Sequence, residues 1–164
     1  MYSNTVGSNI EDFGLISLMY HRFEENKYPS TNIKISDFKK HLEIIQKNNI
    51  KFINPKNFEE EIKVNKKQRK ILLTIDDGFL SFYENAWPIL KEKKIPFILF
   101  VSTREVGSFN YMNWDQIKKI SEEDFVEIGN HSHSHEYLVD ESNEIIIADI
   151  LKSINIFKKK LGKN

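Results

Sequence analysis

Apolar and polar positions along the chain fall into two alternating rhythms. Short uninterrupted apolar runs recur at Leu15–Tyr20, Lys51–Ile53, Lys70–Ile75, Ile95–Val101 and Phe125–Ile128. Runs of this length, bounded by polar or turn residues, predict buried strands. The run KILLTI at 70–75 is the clearest. It lacks polar alternation, which predicts a strand covered on both faces. Segments with helical spacing lie between the runs. Ser36 is placed to cap a helix whose apolar stripe is Phe38, Leu42 and Ile45. Pro55–Val64 opens on a proline and reads as a short helix. Phe82, Trp87 and Leu90 line another helix face, in which Pro88 predicts a kink or break. Trp114–Ile120 forms a short helix. Ser142–Leu161 forms a long amphipathic one, with Gly162 as its C′ residue.

About five strands separated by helices predict right-handed βαβ units and a parallel sheet. A closed α/β barrel commonly takes roughly eight strands and ~250 residues. The chain has 164 residues and shows no repeat, low-complexity tract or linker. The expectation is therefore one α/β domain over 1–164: a distorted, mostly parallel (β/α) barrel cut short at the C-terminus, or else an open sheet.

Composition narrows the function classes. Hydrophobic residues make up 40% and charged residues 29%, which suits a globular chain and not a disordered one. The 24 basic and 24 acidic residues cancel, so no global field draws the chain to nucleic acid or an anionic membrane. Lys158–Lys160, the densest basic cluster, reads as a solvated helix end. There are no cysteines, which excludes disulfides, thiolate metal sites and cysteine nucleophiles. Met1–Glu11 lacks the basic-then-apolar pattern of a signal peptide, and the compartment stays open. No apolar run is long enough to span a bilayer.

Two segments carry chemistry. Thr74-Ile75-Asp76-Asp77-Gly78 ends the clearest strand, and Gly129-Asn130-His131-Ser132-His133-Ser134-His135 follows a later one. The C-terminal ends of parallel strands share one edge, where ligands bind. The two segments are therefore expected to meet despite their separation in sequence. Imidazoles and a carboxylate suit zinc and similar divalent ions, and three protein ligands leave room for water and substrate. With one aspartate as ligand and its neighbour as base, both Asp76 and Asp77 have a role. Asp-Asp-Gly by itself is usually only a turn, and a histidine-rich loop can bind metal loosely. Both motifs on one sheet edge favour a metal site.

The two segments together resemble the motifs of the polysaccharide deacetylases, the nodulation-deacetylase-like carbohydrate esterases. The first motif there is Thr-Phe-Asp-Asp-Gly, with Ile75 here in place of phenylalanine. The second is His-Ser/Thr-x-x-His, matched by His131, Ser132 and His135. Leu18-Met19-Tyr20-His21-Arg22 resembles the opening strand of the subgroup that deacetylates biofilm poly-N-acetylglucosamine, and the Phe38–Leu42 helix and Asn49–Ile53 strand fit it too. The resemblance implies Asp76 as general base and Asp77, His131 and His135 as metal ligands. It implies zinc as the metal, with cobalt or nickel as substitutes, and an acetylated polysaccharide or oligosaccharide as substrate. His133 falls on a variable position. His21 ends a strand, where a role near the site and a purely structural hydrogen bond are both open.

The same resemblance implies a third motif, a tryptophan-lined wall and a late histidine as general acid beyond the residues present. None of His21, His41 or His133 sits in the context expected of that acid. The chain alone is thus expected to be slow or inactive, since general acid catalysis typically contributes ~10²–10⁴-fold. One alternative is a non-catalytic metal- or glycan-binding remnant of the fold. Another is a receiver-like signalling domain, which also sets paired aspartates at a strand end but gives the histidines no role.

Overall fold

The computed structural model describes residues 14–63 and 68–162. The expectation for Met1–Glu11 therefore lies outside the described residues, as does Val64. Seven strands are present there: β1 (Leu15–Tyr20), β2 (Arg22–Phe23), β3 (Asn32–Ile33), β4 (Lys51–Phe52), β5 (Lys70–Ile75), β6 (Phe97–Val101) and β7 (Val126–Asn130). The helices are α1 (Ile35–Lys47), α2 (Phe58–Lys63), α3 (Trp87–Lys93), α4 (Trp114–Ser121) and α5 (Asn143–Leu161). Five strands form one parallel sheet in the order β1-β5-β6-β7, with β4 also paired to β5. β4 pairs with the first two residues of β5 and β6 with its last two. β2 and β3 form a separate parallel pair in the β1–α1 connection. This α/β architecture is that expected from the strand and helix rhythms.

Burial along β6 has period two. In β6, Phe97, Leu99 and Val101 are buried while Ile98 and Phe100 are half-buried. The buried set packs on helices: Phe82, Trp87, Leu90, Ile117 and Ile120 join Leu73, Ile75, Phe97 and Leu99 in one core. Opposite them Leu72, Ile98 and Phe100 are half-buried, and Met19 is 57% exposed. The expectation that the 70–75 strand is covered on both faces holds: five of the six residues of β5 are buried and Leu72 is half-buried. The neighbouring β1 is barer, with Ile16 and Met19 exposed.

Several predicted boundaries shift for local reasons. Ser36 is not the cap of α1: the cap position is Lys34, which makes no side-chain hydrogen bond there. Glu24 serves instead, its carboxylate accepting from the Ile35 N–H. The Pro55–Val64 segment divides into a 3₁₀ turn, Pro55–Asn57, and α2. The break expected at Pro88 is a π-turn over Phe82–Ala86, with Pro88 in the first turn of α3. Widening the preceding turn removes the clash between the ring and the carbonyl four residues back. α5 is capped by Ser142 and closed by Gly162 at φ 67°, as expected. No described helix is long and apolar enough to cross a membrane.

Candidate active site

Parallel pairing puts the ends of β1, β5, β6 and β7 at one edge, and the site is built there. β5 ends at Ile75, and Asp76 remains tied to β1 through its N–H, which donates to the Tyr20 carbonyl at 2.9 Å. The chain then turns through two left-handed residues, Asp77 (φ 73°) and Gly78 (φ 78°). Asp tolerates this conformation better than most residues, and Gly adopts it freely. The Met112 N–H donates to the Gly78 carbonyl at 2.9 Å, and Phe79 pairs with Tyr111 in an isolated antiparallel bridge. The turn is therefore held from both sides. Both aspartates are largely enclosed, and Asp76 Oδ1 and Asp77 Oδ1 are buried without a hydrogen-bond partner.

The histidine loop leaves β7 two strands away. The His131 N–H donates to the Val101 carbonyl at 3.1 Å, and the Ser102 hydroxyl donates to the His131 carbonyl at 2.8 Å. Ser132 (φ 66°) and His135 (φ 58°) are left-handed, so the loop doubles back. Ser132 Oγ fixes that turn by accepting from the His135 N–H at 3.0 Å. His131 and His135 consequently face the same side, their ring centroids 5.0 Å apart.

Three of the four residues predicted from sequence meet at one point. Asp77 Oδ1 lies 3.1 Å from His131 Nε2 and 3.0 Å from His135 Nε2. One ligand atom from each of the three falls within 4.8 Å of the others. These approaches do not satisfy the carboxylate oxygen as an acceptor. Ligands spaced tetrahedrally around an ion at about 2.0–2.2 Å would be roughly 3.4 Å apart, so the donor set fits a small divalent cation with little movement. Asp76 adjoins this triad. His133 does not: its Nδ1 is 2.9 Å from the Thr103 hydroxyl, on the far side of the loop.

Electrostatics separates the two carboxylates. Burial raises the Asp76 pKa, and the neighbouring Asp77 charge adds to that; His131 and His21 oppose it without cancelling it. Burial also acts on Asp77, but His131, His135 and His21 outweigh it, and its pKa falls below the usual range. His131 is raised by the Asp77 carboxylate beside it. His21 contributes to both balances. Its position follows from register, because Tyr20 pairs with Ile75 and the next residues of β1 and β5 emerge side by side. The Leu18–Arg22 segment was the available sequence signal.

The chain is similar to known proteins in sequence and in fold. The profile of the family described as "Polysaccharide deacetylase" matches residues 63–164. The poly-beta-1,6-N-acetyl-D-glucosamine N-deacetylase of Staphylococcus aureus strain MRSA252 is 28% identical over 160 residues, covering 92% of this chain and 55% of that protein. The enzyme of the same name from Staphylococcus epidermidis is 28% identical over 172 residues, covering 94% and 57%. The chain thus spans somewhat more than half the length of these curated relatives. Among solved structures, IcaB from Ammonifex degensii superposes with a TM-score of 0.80 at 26% identity, over 93% of this chain and 71% of that one. The Streptococcus pyogenes deacetylase PplD has the same fold, with a TM-score of 0.77 at 22% identity, over 93% and 70%.

Proposed function

The chain belongs to the polysaccharide deacetylase family, and from that premise we propose that it is part of a domain that removes acetyl groups from the amino sugars of a polysaccharide. The observation that carries this reading is the convergence of Asp77, His131 and His135 beside a buried, unpartnered Asp76 oxygen. Residues 1–164 contribute to one deacetylase domain in this reading. N-acetylglucosamine polymers are the favoured substrate, by analogy with the staphylococcal relatives.

Asp77, His131 and His135 would hold a divalent cation, zinc in the first instance, with cobalt or nickel as substitutes. When bound, the cation supplies a Lewis acid for the acetyl carbonyl and lowers the pKa of water toward ~7. Asp76 takes the proton from the attacking water. Its raised pKa suits the task, because a base poised nearer the working pH accepts a proton more readily in the transition state. Asp77, held low, stays anionic and keeps to the ligand role. The amine that leaves must gain a proton. We assign the role of giving it to none of His21, His41 and His133, so turnover by these 164 residues is expected to be slow, since general acid catalysis typically contributes ~10²–10⁴-fold.

The test is release of free amine and acetate from β-1,6-linked N-acetylglucosamine oligomers by the zinc-loaded chain. Turnover is expected to fall by ~10²–10⁴-fold in Asp76→Asn. Stoichiometric zinc binding with no turnover on any acetylated sugar would instead support the non-catalytic remnant.

A further inference from the structure

α5 is attached to the sheet in an unusual way. It is 19 residues long, and the one buried residue in it is a serine, Ser153. Its apolar side chains Ile147 and Leu151 are more than half exposed. Phe157 and Leu161 attach its C-terminal half to the core, but no buried apolar side chain attaches the part beside the histidine loop. Two polar residues at i, i+4 spacing, Asp149 and Ser153, instead reach the strand end and loop that carry the histidines. Ser153 Oγ pairs with the Asn130 side-chain amide at 2.7–2.9 Å. Asp149 contributes both carboxylate oxygens: Oδ2 accepts from the His133 N–H at 2.7 Å and Oδ1 from the Ser134 N–H at 2.9 Å.

We propose that Asp149 is a positioning residue for the metal centre, which sets metal affinity by clamping two successive backbone N–H groups between the ligands His131 and His135. The inference rests on the metal-site reading above. Its physical basis is the cost of the loop. Ser132 and His135 both sit in the left-handed region, which disfavours side-chain-bearing residues by roughly 1–2 kcal/mol each. Such a loop persists only where its surroundings over-determine it. The β6 side supplies one set of restraints: the Thr103 N–H donates to the Ser132 carbonyl at 3.2 Å and the Arg104 N–H to the His133 carbonyl at 3.0 Å. Asp149 supplies the opposing set, with charge-assisted hydrogen bonds that are stronger than neutral ones. Adjacent N–H groups drawn to one carboxylate fix the Ser132–His133 and His133–Ser134 peptide planes. That leaves the rings of His131 and His135 on the Asp77 side, with His133 turned away. The feature the clamp needs is the carboxylate's pair of acceptors. An amide of the same shape offers one acceptor and sets its NH₂ against the second N–H.

Isothermal titration of zinc into the wild-type chain, Asp149→Asn, Asp149→Glu and Ser153→Ala tests this, alongside thermal midpoints of the metal-free proteins. Asp149→Asn is expected to bind zinc about 10–100-fold more weakly, the range typical of residues that orient metal ligands. Asp149→Glu, which keeps both acceptors, is expected to recover part of that affinity. Ser153→Ala serves as the control for helix attachment: it is expected to lower the metal-free midpoint and keep zinc affinity near wild type. Wild-type affinity in Asp149→Asn overturns the proposal, as does an equal loss in Ser153→Ala. If Asp149→Asn does not fold, Asp149→Glu decides: affinity no better than that of His131→Ala sinks the idea. A wild-type chain that takes up no zinc overturns the metal centre itself, and is thereby distinguished from failure of the clamp alone.

Discussion

At the scale of single residues, the site depends on aspartates and histidines whose protonation is linked. Zinc and the proton compete for His131. Its folded pKa is raised by Asp77, so in the metal-free chain the Asp77–His131 pair stabilises fully below the ordinary histidine value and is lost as pH rises through the folded pKa. Metal binding runs the other way, since the ligand must be neutral. Zinc affinity is expected to increase as pH rises through the His131 range, with proton release measurable by calorimetry in buffers of different ionisation enthalpy. Affinity independent of pH between 5 and 8 would exclude His131 as a ligand. His131→Ala and His135→Ala are each expected to abolish stoichiometric binding, whereas His133→Ala keeps most of it, because the His133 ring faces Thr103. Equal losses from all three would indicate a loose polyhistidine site. The acid limb of turnover is expected above the ordinary carboxylate range, as Asp76 must be ionised to act and its pKa is raised. Four of these residues were legible in the sequence because their spacing is local. His21 was only half legible: its nearness to Asp76 is a consequence of β1–β5 register, which no local pattern states.

At the scale of elements, strands were easier to read than their covering. Each apolar run became a strand, but none announced which face would meet helices. α4 carries a signal that composition alone passes over: Asn113 and Gln116 form a reciprocal capping box, with 2.8 and 2.9 Å hydrogen bonds. α1 shows the opposite case, because Glu24 lies 11 residues before the N–H it caps and only the folded β1–α1 connection brings it there. The β7 end supplies a sharper test. A Cβ on Gly129 would lie 2.4–2.5 Å from the Phe100 ring and 3.1 Å from Ile98 Cγ2. Phe100 in turn neighbours the His131 ring, with centroids 6.1 Å apart. Gly129→Ala must therefore displace Phe100, at a cost of about 1–3 kcal/mol as in other overpacked sites. The expected result is a lower denaturation midpoint together with weaker zinc binding. A midpoint and zinc affinity both equal to wild type would mean that Phe100 moves freely and does not support His131.

At the scale of the whole molecule, one sheet joins four strand ends into a site, while much of its second face stays half-exposed among the described residues. α5 adds to the exposed apolar surface: Ile147, Leu151 and Ile154 recur at i, i+4 and i+7, with exposures of 58%, 54% and 39%. A contiguous apolar stripe of this kind favours association. Asp149, which holds the histidine loop, and Ser153, which pairs with Asn130 at the end of β7, occupy the other side of the same helix. Association and metal binding are thereby separable. A ligand that binds only the folded state adds about 2.7 kcal/mol at 100 times its Kd. For a chain of this size that corresponds to a rise in midpoint of roughly 5–10 °C. Saturating zinc is accordingly expected to raise the thermal midpoint of the chain and of the double variant Ile147→Lys/Leu151→Lys by the same amount. Sedimentation velocity across a concentration series should meanwhile show association in the parent chain and little in the double variant. If the double variant loses the zinc-induced rise as well, the exposed stripe supports the site and the two faces of α5 are not independent. If the parent chain remains monomeric at every concentration, the stripe is not an adhesive surface, and its exposure needs another physical account.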